Sequence, residues 1–99
     1  MHPGQRRGVA TREAPDDWSD RMQAFGLALQ RARHQLGMTQ EEVAYASGLT
    51  RSHYQQLEKG LSRPGVAANP SLLTVTALAE TLQLDPAELI EPPPRTAPA

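Results

Sequence analysis

The segment at residues 50–56, which reads TRSHYQQ, carries more hydrogen-bonding side chains than a helix needs to stay in solution. An arginine guanidinium can bond both O6 and N7 of guanine, and a glutamine amide can bond both N6 and N7 of adenine. Polar outer faces are also common on soluble helices. Whether these side chains contact bases therefore depends on the elements that position them. The candidates for base contacts are Thr50, Arg51, Ser52, Gln55 and Gln56.

A second group of side chains could hold a phosphate backbone rather than bases. Amide and cationic side chains beside the free N–H groups of a helix N-terminus suit phosphate oxygens. The alternative to phosphate contact is that Gln40 is only a helix former in a capping box. For Arg63, the alternative is that it lies in a flexible loop. The candidates for phosphate contacts are Thr39, Gln40, His53, Lys59 and Arg63.

Apolar residues recur at helical spacing before this region and predict a first helix over about 17–36. Asp16 or Asp17 can cap its start, and Gly37 can close it. The stripe that would face the core consists of Trp18, Met22, Phe25, Leu29, Ala32 and Leu36.

The letters TQEE at 39–42 form a capping box and predict a second helix over about 40–47. Gly48 tolerates the positive φ that a tight turn needs. Thr50 can cap a third helix over about 51–59, with Tyr54 facing inward. Two helices joined by such a turn are typical of a helix-turn-helix unit, whose second helix can enter a major groove.

The sequence after residue 60 predicts a loop and two more helices, and no strand. The loop covers 61–69, and Asn69 with Pro70 is expected to begin a fourth helix. DPAE at 85–88 predicts a short fifth helix over about 86–91 that buries Leu89 and Ile90.

Composition narrows the class of protein. The 99 residues carry a net charge of −1 and contain no cysteine, which excludes disulfides and thiolate chemistry and fits a cytoplasmic location. No long apolar run predicts a membrane span, and the N-terminus lacks a signal-peptide core. The folded domain is expected over 17–91, with disordered tails at 1–16 and 92–99 that are rich in proline or mixed charge.

Residues 29–60 and 71–90 resemble the phage-repressor-like, or Xre-type, helix-turn-helix family of transcriptional regulators. The resemblance depends on the combination of Thr39-Gln40, Ala44, Gly48-Leu49, Glu58 and Gly60. It implies an all-α, compact five-helix lambda-repressor-like domain, with the helix-turn-helix unit at about 39–59, that binds double-stranded operator DNA as a homodimer.

The resemblance also assigns roles to individual residues. It implies that Gln40 contacts phosphate, that base contacts come from the start of the third helix and Gln56, and that Arg33 and Glu58 form a structural pair. The chain departs from the family at Tyr54, where an aliphatic residue is usual, and in the longer 61–69 link. A repressor that occludes a promoter is the expected function.

The sequence is also compatible with other functions and interfaces. A protein-interaction module on the same fold, such as an antitoxin or a contact for RNA polymerase or a sigma factor, would suit the acidic C-terminal third. The dimer interface could use the fifth helix, with Leu89 and Ile90, or Trp18. Arg6, Arg7 and Arg12 resemble a basic arm, although their acidic neighbours favour a plain tail.

Neither an enzyme nor a metal or cofactor site is expected. Glu41 and Glu42 are adjacent, so on a helix they diverge by about 100° and cannot act as an acid–base pair. Ser52 and His53 point apart for the same reason. The histidines His2, His34 and His53 lack the spacing of metal ligands.

Overall fold

The computed structural model describes residues 13–91, so the predictions for residues 1–12 and 92–99, including the basic arm, lie outside the described residues. Five helices and one short hairpin follow one another along this part of the chain. They are α1 (Trp18–Gln35), α2 (Gln40–Ala46), α3 (Arg51–Glu58), β1 (Leu61–Arg63), β2 (Val66–Ala67), α4 (Leu72–Leu82) and α5 (Pro86–Ile90).

Side chains next to the helices define where four of them begin. In the capping box of α2, the Glu42 N–H donates to Thr39 Oγ1 at 3.0 Å, and the Thr39 N–H donates to Glu42 Oε1 at 2.8 Å. At α5 the Asp85 carboxylate accepts from the Ala87 N–H at 2.9 Å and the Asp85 N–H donates to Glu88 Oε1 at 2.8 Å. Thr50 and Ser71 cap α3 and α4 with their hydroxyls. These bonds satisfy N–H groups that have no partner inside a helix.

All five helices contribute to one apolar core. α1 lies against α3, α4 and α5, while α2 packs on α3 and α4. The apolar side chains that are almost completely buried are Met22, Phe25, Leu29, Ala32, Val43, Ala44, Tyr54, Leu57, Ala68, Val75, Leu78, Ala79, Leu82 and Leu89.

The backbones of α1 and the end of α3 approach each other closely. A Cβ atom added to Gly26 would lie 2.7 Å from the Leu57 carbonyl oxygen and closer still to that of Glu58. Glycine is a poor helix former, but here it lets α3 lie directly against α1. Gly60 makes a similar approach to the backbone of Met22, at 2.8 Å from an added Cβ.

The link between α3 and α4 differs from the prediction. Leu61 pairs with Ala67 and Arg63 with Val66 in an antiparallel hairpin, so the expectation of no strand was wrong. Strands of three and two residues are too short to show an alternating pattern in the sequence. The fourth helix also begins later than expected, because Ser71, rather than Asn69, caps it.

Three smaller predictions about burial and capping were also wrong. Leu36 is 39% exposed because it lies beyond the last residue of α1, and Ile90 is 50% exposed because Leu89 takes the inward position on α5. Asp17 precedes α1 but makes no side-chain cap, since its carboxylate accepts from Arg21 at 3.0 Å instead.

Within residues 13–91, no helix has the length and apolar content needed to cross a bilayer. The same part of the chain holds no cluster of three or more His, Asp or Glu side chains that could bind a metal ion.

Replacing Gly26 by alanine is expected to lower the free energy of unfolding by about 1–3 kcal/mol, because the new methyl group would push α3 away from α1. Urea unfolding followed by circular dichroism measures this loss. Gly48→Ala is the matched control: nothing lies within 4 Å of its added Cβ, so only the cost of a positive φ remains, roughly 1 kcal/mol. A Gly26→Ala protein as stable as the wild type would contradict the described packing.

Candidate nucleic-acid interface

The turn between α2 and α3 fixes the angle between these two helices. Gly48 adopts a φ of +75°, and the Leu49 N–H donates to the Ala44 carbonyl at 2.8 Å. Val43 and Ala44 are buried beneath the turn, and the partly buried Leu49 packs against the same core. The predicted helix-turn-helix geometry is therefore present in residues 39–58.

The inward and outward faces of α3 separate clearly. Tyr54, Leu57 and Glu58 are buried, whereas Arg51, Ser52 and His53 are exposed. On a helix with 100° between residues, Ser52 lies opposite the buried set. The outer face of α3 therefore carries side chains that no core contact occupies.

The other candidates for base contact are hydrogen-bonded within the protein or partly buried. Thr50 is exposed, but its hydroxyl accepts from the His53 N–H at 3.0 Å as the helix cap. Gln55 and Gln56 are half-buried. Gln55 Nε2 donates to Gln40 Oε1 at 3.1 Å, so this amide bonds α2 as well as lying on the flank of α3.

An ion pair lies beneath this surface. Arg33 Nε donates to Glu58 Oε2 at 2.6 Å and Nη2 donates to Oε1 at 3.2 Å, with only 11% and 2% of the two side chains exposed. Arg33 Nη1 also donates to the Met38 carbonyl at 3.1 Å, which ties in the segment before α2. The pair expected from the resemblance is thus brought together as a bidentate contact.

Gln40 joins the ion pair to the surface. Its Nε2 donates to Glu58 Oε1 at 2.9 Å. Burial alone would raise the pKa of the Glu58 carboxyl, but its polar neighbours, Arg33 first among them, outweigh burial and hold that pKa below its ordinary value. Glu58 is therefore a carboxylate at neutral pH, and its charge is compensated inside the domain.

Thr39, Gln40 and Lys59, which are candidates for phosphate contacts, line two surface depressions. One, of about 620 Å³, lies where α2 and α3 begin and is lined by Arg33, Gly37, Met38, Thr39, Gln40, Glu41 and Arg51. A second, of about 290 Å³, is lined by Gln30, Gln40, Gln55, Glu58 and Lys59. Arg63 lines neither depression and is exposed on β1.

The chain matches known proteins over most of its length. Residues 24–91 match the family described as a helix-turn-helix domain. The uncharacterized HTH-type transcriptional regulator y4dJ of Sinorhizobium fredii is 32% identical over 77 residues, which cover 78% of this chain and 92% of that protein. This chain belongs to the helix-turn-helix family of transcriptional regulators.

Solved structures share the fold of this regulator. The restriction-modification controller protein C.AhdI from Aeromonas hydrophila is 37% identical, with a TM-score of 0.59 over 69% of this chain and 94% of that one. The hypothetical transcription factor NHTF from Neisseria is 26% identical, with a TM-score of 0.64 over 84% and 87% of the two chains. The clp gene regulator ClgR from C. glutamicum is 25% identical, with a TM-score of 0.57 over 69% and 80%.

These similarities confirm the predicted resemblance to Xre-type regulators and the predicted fold class, a five-helix lambda-repressor-like domain. The hairpin is a small addition between α3 and α4 and leaves that arrangement of helices unchanged.

Tyr54 fills the position where the resemblance led us to expect an aliphatic residue. It is fully buried in the regulator, and burial raises the pKa of its hydroxyl well above the ordinary value. This hydroxyl lies near Arg33 and Glu58 but has no hydrogen bond of good geometry within residues 13–91. Gln56 Oε1 is likewise buried without a partner there.

Sequence reasoning missed several residues that shape the interface. Gln30 lines the second depression, and Gly26 allows α3 to approach α1, yet neither belongs to a recognisable motif. The only signal for Gly26 was a glycine in the middle of an otherwise regular helix. Ser47 Oγ donates to Thr81 Oγ1 at 2.8 Å and joins α2 to α4, a pairing that local patterns cannot show.

Removing one partner of the ion pair should be costly. Glu58→Ala is expected to lower the free energy of unfolding by about 3–5 kcal/mol, because it leaves the Arg33 charge buried and unpaired. Urea unfolding at pH 7 measures the loss. The matched control is the double variant Arg33→Met, Glu58→Leu, which removes both charges and should recover most of the stability.

The dependence on pH provides a second check of the pair. Because folding lowers the pKa of Glu58, the stabilisation is complete above the unfolded value of 4.5 and is lost as the pH falls through the lower folded value. The double variant lacks Glu58 and should lose less stability over this interval. Equal losses in the two proteins would contradict the assignment.

The Tyr54 hydroxyl should contribute little to stability. Tyr54→Phe is expected to change the free energy of unfolding by less than about 1 kcal/mol, because it removes a buried polar group that has no good partner. Tyr54→Ala is the contrasting variant and should cost about 3–5 kcal/mol through the cavity it leaves. A loss above 2 kcal/mol in Tyr54→Phe, measured by the same urea titration, would mean that the hydroxyl bonds Glu58 in solution.

Proposed function

We propose that this regulator binds double-stranded DNA sequence-specifically, with α3 in the major groove. The observation that carries the proposal is the exposed outer face of α3, which is held clear of the core by the turn at Gly48. Arg51 and Ser52 are exposed on this face and can reach base edges. Thr50 and Gln56 complete the set of proposed base contacts, whereas the Gln55 amide is already bonded to Gln40.

Phosphate contacts would then fix the orientation of the domain on the duplex. Thr39 and Gln40 line the same depression as Arg51, where α2 and α3 begin. His53 and Lys59 are exposed along α3 and at its end, and Arg63 is exposed on the hairpin that follows. These five side chains could contact phosphates of the DNA backbone on either side of α3.

Occlusion of a promoter is the proposed mode of action, which makes the chain a cytoplasmic repressor. One module of this size buries a small surface on DNA, so we propose that two copies bind a two-fold site. Trp18 and Leu89 pack in or against the core, which leaves Ile90 as the expected interface residue with a largely exposed side chain.

A protein partner is the second candidate function. Leu72 and Leu73, at the start of α4, are 74% and 79% exposed, which favours contact with another protein surface. An antitoxin or a contact for RNA polymerase would use such a surface. Salt separates the two functions, since binding to phosphates must weaken steeply as salt rises and protein contacts need not.

Selection from random duplex DNA, followed by sequencing, tests the proposed function. Enrichment of a two-fold symmetric motif would support base reading by a dimer, and the half-site spacing would give its geometry. A folded protein that enriches no motif would overturn the proposal and favour the protein partner.

Arg51→Ala tests the assignment of the central base contact. On the selected duplex it is expected to cost about 1–3 kcal/mol of binding free energy and to relax the preference at one base pair. Fluorescence anisotropy on a set of single-base variants of the duplex measures both effects. Arg31→Ala, which removes an exposed arginine from α1, is the control and should leave the preference unchanged. An equal loss on every duplex would make Arg51 a phosphate contact.

A further inference from the structure

A chain of hydrogen bonds runs from the buried ion pair to the flank of α3. Arg33 on α1 donates to Glu58, which ends α3. Gln40 on α2 donates to the same carboxylate at 2.9 Å. Gln55 on α3 then donates to the Gln40 carbonyl oxygen at 3.1 Å. The amide of Gln40 is thus held from both of its ends.

The chemistry of the two partners fixes which way this amide points. A carboxylate only accepts hydrogen bonds, so the nitrogen of Gln40 must face Glu58 and its oxygen must face the N–H of Gln55. An amide nitrogen carries two N–H groups, and Glu58 takes one of them. The other N–H of Gln40 has no acceptor within residues 13–91, so it is available to a ligand.

We propose that Gln55 is a positioning residue that holds Gln40 so that this second N–H bonds one phosphate of bound DNA, and that Gln55 itself reads no base. The inference rests on the proposed function and gives Gln55 a role different from that of Arg51 and Ser52. Gln55 acts through Gln40, because one of its two N–H groups donates to the Gln40 carbonyl oxygen and so fixes the orientation of that amide.

The surroundings of the two glutamines suit an anion. Gln40 and Gln55 line the depression of about 290 Å³ together with Lys59, which is the cation among its lining residues. Glu58 lines it too, but the bidentate contact with Arg33 compensates its charge. A phosphate oxygen that approaches Gln40 therefore meets an ammonium group rather than an uncompensated carboxylate.

Without Gln55, the Gln40 side chain would keep only its hydrogen bond to Glu58. Its amide could then turn, and binding DNA would have to immobilise it again. Gln55→Met removes the donor with little change in side-chain length or helix propensity, so it isolates this effect. Gln23→Met, on the exposed face of α1, is the matched control.

The first experiment needs no DNA. In a nitrogen–proton correlation spectrum of the wild-type protein, the side-chain amide signals of Gln40 should lie away from those of solvent-exposed glutamines. In Gln55→Met they should move toward the exposed values, while in Gln23→Met they should stay in place. Gln40 signals that are the same in wild type and Gln55→Met would overturn the proposal.

The second experiment is a double-mutant cycle on the duplex obtained by selection. Gln40→Met and Gln55→Met are each expected to weaken binding about 3- to 10-fold, the range of one hydrogen bond. If Gln55 acts through Gln40, the double variant should bind no more weakly than Gln40→Met. The preference for bases should be the same in Gln55→Met as in the wild type.

Two results of the cycle would overturn the proposal while leaving the proposed function intact. One is additivity of the two losses, and the other is a relaxed preference at one base pair in Gln55→Met, which would make Gln55 a base reader. Failure of the wild-type protein to select any duplex is a different outcome, because it overturns the proposed function and the DNA role of Gln55 together.

Discussion

The contact between Arg33 and Glu58 is the interaction on which the DNA-facing surface depends. It joins the first helix to the last residue of α3 across 25 positions of sequence, and Arg33 also bonds the Met38 carbonyl before α2. Gln40 adds a bond from the start of α2 to the same carboxylate. Three helices therefore meet at one buried charge, and the loss of any partner would leave a polar group without compensation.

Buried ion pairs are not efficient sources of stability, because desolvation offsets most of the attraction between the charges. Their value here is geometric. An apolar contact would tolerate sliding of α3 along α1, whereas a bidentate contact at 2.6 and 3.2 Å permits one placement. Gly26 complements this by letting the two backbones touch, so α3 is fixed both in depth and along its axis.

Local patterns in the sequence predicted those features that are themselves local. Thr39 caps α2 as expected, because a cap involves residues three positions apart. The pairing of Arg33 with Glu58 was expected only through the resemblance to a family, since nothing nearby in sequence links them. The hairpin at 61–67 was missed because its strands are so short. The bond between Gln55 and Gln40 depends on two rotamers, and the approach at Gly26 on a backbone distance, so neither has a sequence pattern.

Trp18 gives the domain an optical reporter at a useful place. It is the single tryptophan of the chain, and its indole N–H donates to the Ala68 carbonyl at 2.8 Å, fifty residues away. Its emission therefore follows the docking of the segment after the hairpin onto the first turn of α1, whereas far-ultraviolet dichroism follows the helices. If the two signals are lost together during denaturation, the domain unfolds as one cooperative unit. If the emission changes first, the hairpin region detaches while the helices remain.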